Sequence, residues 1–164
     1  MSTADTQLGT VWAWIRSHAD KGVQCPACGQ RVQVYWRSIN AGMAYSAVKL
    51  YRIHQASPWR WVHLPSEIGR RSAEEAKLAY WGLVEVSGEK REDGGKASQW
   101  RITQKGADWV TGAIAVPKYV RVFDGEPWGP PIPYSRSGRQ MPDVTIRMAL
   151  GDKFDYDALM SGEP

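Results

Sequence analysis

From Leu83 to Thr103 the chain carries two short strands, LVEVS and SQWRIT, on either side of a polar loop containing Asp93-Gly94, and each strand adjoins a helical segment. An Asp-Gly pair readily takes the two left-handed conformations of a tight hairpin turn, so the strands are expected to pair antiparallel without a crossover. The preceding helix opens on Ser72-Ala-Glu-Glu75, the pattern of a capping box, places Ala76, Ala79 and Tyr80 inward, and stops at Gly82. Thr103 caps the next helix, QKGADWVTGA, which ends before Pro117. Helices packed on a small antiparallel hairpin put the chain in the α+β class.

Upstream, Ser38 or Asn40 is an N-cap for a helix in which Met43, Ala44, Ala47, Val48, Leu50, Tyr51 and His54 recur at three- and four-residue intervals, with Ser57-Pro58 as its stop. A short strand at Trp61 to His63 and one helical turn after Pro65 follow. Before this region, Leu8, Val11, Trp12 and Ile15 mark an amphipathic helix from Gln7 to about Ala19, and a Cys-Pro-x-Cys-Gly turn leads into alternating Val32, Val34 and Trp36. After Pro117, KYVRVFDGEPWG makes one strand and a turn, and WGPPIPYSRSGRQMP is a linker or a clasp over the surface. DVTIRMALGDKFDYDALM then supplies two short helical turns. The chain divides accordingly into residues 1–37, 38–116 and 117–164.

Helix, short strand, short helix, capped helix, hairpin and helix is the order of a winged helix-turn-helix, here expected to carry the N-terminal helix and Cys-x-x-Cys knuckle on one side and a C-terminal extension on the other. AKLAYWGLVEV followed by WRITQKGADWV resembles the recognition helix, wing and return helix of MarR-like transcriptional regulators, with Ile102-Thr103 and Gly106 in place of a Leu-Thr-x-x-Gly phrase. Over its full length the chain is also similar to a type of small phage- or prophage-encoded protein, through CPACGQ, AYWGLVE, VPKYVRVFDG and MALGDKFDYDALM. The first resemblance implies double-stranded DNA as partner and a regulatory role; the second implies a genomic context and no mechanism.

DNA binding needs polar and basic side chains on the recognition helix and cations on the wing that reach phosphates. Arg70, Arg71 and Ser72 stand at the start of that helix, Lys77 on its outer side, and Lys90, Arg91 and Lys96 in the wing. Glu74, Glu75, Glu89, Glu92 and Asp93 oppose them. The net charge is +4, and it is unevenly spread: residues 1–57 hold six Lys and Arg, including Arg37 and Arg52, against two Asp. Residues 58–103 are nearly balanced, which favours the rival reading, a protein-protein interaction module acting on a host or phage protein.

Cys25-x-x-Cys28, with Pro26 inside and Gly29 after it, is a turn that can offer two thiolates to one zinc, because its backbone amides donate to the sulfurs. There are no other cysteines, and a structural zinc takes four ligands. His18 is the nearest third ligand in sequence; His54 or His63 would have to approach from the central region, or a second chain would complete the site. The alternative is a pair of reduced thiols closing a hairpin.

Nine tryptophans promise large buried areas, and Trp12, Trp81, Trp100 and Trp109 are core candidates. Trp59 and Trp61 around Arg60 could stack on bases, but core and rim packing is the commoner use of such residues. No apolar run approaches the roughly 20 residues that span a bilayer, and the first ten residues do not resemble a secretion signal, so a cytoplasmic protein without membrane contact is expected. No Gly-x-Ser-x-Gly elbow, phosphate-binding loop or HExxH is present, so catalysis is not expected; Asp155 and Asp157 read as caps of the FDYDALM turn.

Overall fold

The computed structural model describes residues 3–69, 74–89, 92, 94 and 99–162. Its elements run α1 (Thr3–His18), β1 (Val23–Gln24), β2 (Arg31–Val32), β3 (Tyr35–Ser38), α2 (Ala41–Ala56), β4 (Val62–His63) and α3 (Leu64–Glu67). A 3-10 helix (Glu75–Trp81), β5 (Val84–Val86), β6 (Gln99–Ile102) and α4 (Gln104–Val110) come next. The chain finishes with β7 (Tyr119–Phe123), β8 (Glu126–Pro127), α5 (Ile146–Leu150), a 3-10 turn and α6 (Tyr156–Ser161). The architecture is α+β, with small antiparallel sheets. None of the described helices is long and apolar enough to cross a membrane.

Helix α2 is the hub. Asn40 caps it, its side chain accepting from the Met43 amide at 3.0 Å, so the helix starts at a defined residue. Met43, Ala44, Ser46, Ala47, Val48 and Leu50 are all buried, which needs neighbours on more than one side. Those neighbours are the 3-10 helix, β6, α4, α5 and α6. One three-stranded sheet has the order β4-β6-β5, with Val62 opposite Trp100 and Val84 opposite Ile102.

The segment between Gly69 and Gly82 departs from the sequence expectation in phase. Glu75, Leu78 and Trp81 are buried, whereas Ala76, Ala79 and Tyr80 are half-buried. A 3-10 helix repeats every three residues, so positions 75, 78 and 81 fall in line and the inward stripe moves off the residues an α-helical spacing selects. Gly82, at φ 70°, closes the helix as expected. Ser72 lies outside the described residues, and Glu75 turns inward, where its Oε1 accepts from Ser46 Oγ at 3.1 Å.

A second sheet, β3-β7-β8, joins a strand from before α2 to two from after α4, with Trp36 opposite Arg121 and Arg37 opposite Val120. Asp124 and Gly125, at φ 52° and 76°, form the two-residue turn between β7 and β8, the conformation for which Asp-Gly is suited. The stretch 128–142 is a clasp: the Ile132 amide donates to Tyr119 O at 2.8 Å, and Tyr134 bridges Gln140. Val144 then bridges Val116 and returns the chain to the body. Asp155 caps α6 by accepting from the Ala158 amide at 2.9 Å, and Arg147 forms a two-pronged contact with Asp157.

Helix α1 is longer than its apolar spacing indicated and is turned differently. Ile15 and Ala19 are buried with Val34 and Phe123 in a small second cluster, but Leu8 is 62% and Trp12 44% exposed. Trp12 therefore is not a core residue; its ring lies 5.8 Å from Phe123 at the rim of that cluster. Trp81 and Trp109 are in the main core, and Trp100 packs against it half-buried. Trp61 is half-buried under the Arg101 guanidinium, while Trp59 is exposed against His54.

Candidate functional site

The N-terminal side of the 3-10 helix gathers charge. Glu74 Oε1 is ion-paired with Lys77, and Asn40 Nδ2 donates to Glu74 Oε2 at 3.5 Å. The hydrogen bond from Lys77, together with the positive charges of Lys77 and Arg37, holds the Glu74 carboxyl below its ordinary value against a smaller opposing effect of burial. Arg37, at the end of β3, lies 5.5 Å from the Tyr35 ring centroid. Arg37 thus acts on Glu74 through its charge alone, whereas Lys77 is in direct contact with it. Arg52 is elsewhere: it sits in the last turns of α2 with its guanidinium against Gly162, where an added Cβ would come within 2.2 Å of Nη2.

This pairing has a pH signature. A carboxylate lowered in the folded state adds stability that is complete above the unfolded glutamate value of about 4.3 and is lost as pH falls through the folded value. Lys77→Ala should therefore leave stability below pH 3 almost unchanged while lowering it at pH 6, by no more than about 1 kcal/mol because both side chains are partly solvated and salt-screened. Urea titrations at the two pH values in low salt measure this. An equal loss at both would show that Lys77 acts through packing instead.

Arg70, Arg71 and Ser72, expected at the helix start, and Lys90, Arg91 and Lys96, expected in the wing, lie outside the described residues. The strands on either side of that loop are described: β5 and β6 are held by the Arg101 to Glu85 ion pair at 2.5 Å and by the Ser87 amide donating to Gln99 O at 2.8 Å.

Beside the 3-10 helix runs a groove of about 470 Å³. It is lined by Ala76, Lys77, Ala79 and Tyr80 of the 3-10 helix, by Val86 and Trp100 of β5 and β6, and by Gly125, Glu126 and Pro127 at β8. Sequence reasoning missed this feature because it weighted the hairpin signal at Asp93-Gly94 and read Asp124-Gly125 only as a turn. The same Asp-Gly reasoning, applied at Asp124, would have found the second hairpin.

The Cys25-x-x-Cys28 turn caps the β1-β2 hairpin. The Cys25 amide donates to Gln30 O and the Gly29 amide back to Cys25 O, both at 2.8 Å, and Gly29 has φ 73°. Backbone amides of Cys28 and then Ala27 donate to the Cys25 sulfur, with a further contact from the Cys28 thiol, and they lower the Cys25 thiol from its ordinary value. His18 does not join the pair. Its Nδ1 lies 2.8 Å from both Trp14 O and Ser17 Oγ, and its ring stacks on Trp14. His54 Nδ1 accepts from the Trp59 amide, and His63 Nδ1 lies 2.9 Å from Ser66 Oγ. Among the described residues no three of His, Cys, Asp and Glu are grouped to hold a metal ion.

Trp59 has φ 58°, a left-handed conformation that costs a bulky residue roughly 1–2 kcal/mol. Its amide hydrogen bond to His54 and the ring contact with a 4.3 Å centroid separation help hold it there. Arg60 is turned away to a two-pronged contact with Glu67, so the Trp-Arg-Trp triplet does not present a joint stacking face. Set against family models, curated proteins and solved structures, the chain matches none.

Proposed function

We propose that this chain is a non-catalytic protein that binds double-stranded DNA through a winged helix formed by residues from α2 to α4. The observation that carries the reading is the order of the central elements. Helix α2, strand β4, short α3, the 3-10 helix, the β5-β6 hairpin and α4 follow one another, and the strands pair in the order β4-β6-β5. In this reading the 3-10 helix and the residues before it face the major groove, and the loop from β5 to β6 is the wing. The regulatory role and the phage or prophage setting rest on the resemblance of the sequence alone.

The described charge gives the binding a limited reach. Lys77 is already paired with Glu74, so phosphate contacts fall to Arg37 and to the cations at 70, 71, 90, 91 and 96. Each phosphate neutralised adds nearly one to the slope of log affinity against log salt. Arg70→Ala/Arg71→Ala and Lys90→Ala/Arg91→Ala are each expected to weaken duplex binding roughly tenfold to hundredfold near 0.1 M salt and to lower the slope by about two. Fluorescence anisotropy on a random duplex across a salt series reads both quantities. No duplex binding by the unaltered protein at low salt would sink the proposal.

A second reading, a protein-protein interaction module, is favoured by the groove beside the 3-10 helix. Tyr80, Val86 and Trp100 give it an apolar surface of the kind that receives side chains from another protein. Tyr80→Ala separates the readings, because it removes part of the groove and no cation.

A further inference from the structure

We propose that the Cys25-x-x-Cys28 turn is half of a zinc site that a second copy of this chain completes, two turns enclosing one metal ion in a tetrahedron of four sulfurs. The chain has two cysteines and three histidines, and all five are described. The three imidazoles are held by Trp14 and Ser17, by Trp59 and by Ser66, and none groups with the sulfurs. A structural zinc site is nearly always closed by four protein ligands, so the described residues of one chain supply half of what the ion requires.

The turn carries Cys28 at its exposed tip and Cys25 at its half-buried base, beside the small second cluster. The paired hydrogen bonds between Cys25 and Gln30 and between Gly29 and Cys25 hold it in a tight loop, and the Cys28 thiol lies within hydrogen-bonding reach of the Cys25 sulfur. Pro26, Ala27, Cys28, Gly29 and Gln30 are all exposed, so no described part of the same chain covers the tip. Exposed Trp12 and Tyr35 line a groove with Arg31 and Val32, which follow the turn in sequence, and offer apolar area for the second copy. A two-fold axis through the ion makes the contact closed, because each copy gives and receives the same pair. Assembly of the site replaces four S–H bonds by four Zn–S bonds and releases four protons to solvent.

The test uses the full chain, purified with reductant, loaded with zinc alone and then freed of excess. Metal analysis is expected to find half an equivalent of zinc per chain, and light scattering a dimer that returns to monomer when a chelator removes the ion. Cobalt in place of zinc should give the absorption of a tetrahedral four-thiolate site. Cys28→Ser, at an exposed position, should abolish metal binding and dimerisation while the circular dichroism spectrum stays that of the unaltered protein. The proposal is overturned by one zinc per monomeric chain, by no zinc binding, or by a dimer that persists after the zinc has been removed. Since none of these measurements includes DNA, they decide the metal site independently of the winged-helix reading.

Discussion

Trp109→Ala is expected to cost about 3–5 kcal/mol of folding stability, a large fraction of the 5–15 kcal/mol available to an ordinary domain. Trp109 is fully buried in α4, and its indole N–H donates to Val144 O at 2.9 Å. Truncation to alanine therefore has two effects. It empties a ring-sized volume in the main core, and it removes one of the two donors to Val144 O, the Val116 amide at 3.2 Å remaining. Trp109→Phe separates them, since most of the apolar area remains and only the hydrogen bond is lost, at about 0.5–1.5 kcal/mol. Urea unfolding followed by circular dichroism gives both values. A loss below 1 kcal/mol for the alanine variant would mean that the C-terminal segment does not depend on this indole.

Gly106→Ala sets two effects of opposite sign against each other. In the interior of an exposed helix, alanine is more stable than glycine by about 1 kcal/mol. Here an added Cβ would lie 2.0 Å from Leu83 O and 2.7 Å from Ile102 Cγ1. The carbonyl cannot easily retreat, because it accepts from the Thr103 amide at 3.1 Å and belongs to the turn between Gly82 and β5. Overpacking of this kind costs about 3 kcal/mol, so the clash outweighs the propensity and a net loss of about 2 kcal/mol or more is expected. Thermal melts of the two proteins under identical conditions decide it. A raised midpoint in the alanine variant would show that α4 shifts away from Leu83 at little cost.

The parts of the fold legible in the sequence are those governed by local chemistry. Asn40, Thr103 and Asp155 cap helices because each side chain accepts from an amide three residues on, a rule that depends on nothing distant. Gly82 ends the 3-10 helix for an equally local reason, its left-handed backbone. The inner face of that helix was not legible, because Ala76, Leu78, Ala79 and Tyr80 suit a stripe of either period, and only the burial of Glu75 beside Ser46 reveals a repeat of three. Nor could spacing show that Leu8 and Trp12 are left outside: the second cluster has room for Ile15 and Ala19 against Val34 and Phe123 and extends no further along α1. For the candidate site, Cys25 and Cys28 were legible as a pair, but the absence of nearby His18 from it was not, because the His18 ring is held by Trp14 and Ser17 at the end of α1. The pull of the Arg37 charge on Glu74 was not, because it depends on where β3 lies relative to the 3-10 helix.

Pairing of β3 with β7 also sets an order of events during synthesis. Tyr35, Trp36, Arg37 and Ser38 have no strand to pair with until Tyr119 to Val122 have emerged from the ribosome. By then all of β4, β5 and β6 are available, and their sheet can close around α2 from nearby residues. Cover for α2 from α5 and α6 arrives later still, so α2, the Cys25 turn and α1 all wait on residues beyond Tyr119. A chain truncated before residue 119 would therefore leave both α2 and the N-terminal segment open to proteolysis, a state that limited digestion of the truncated chain would display.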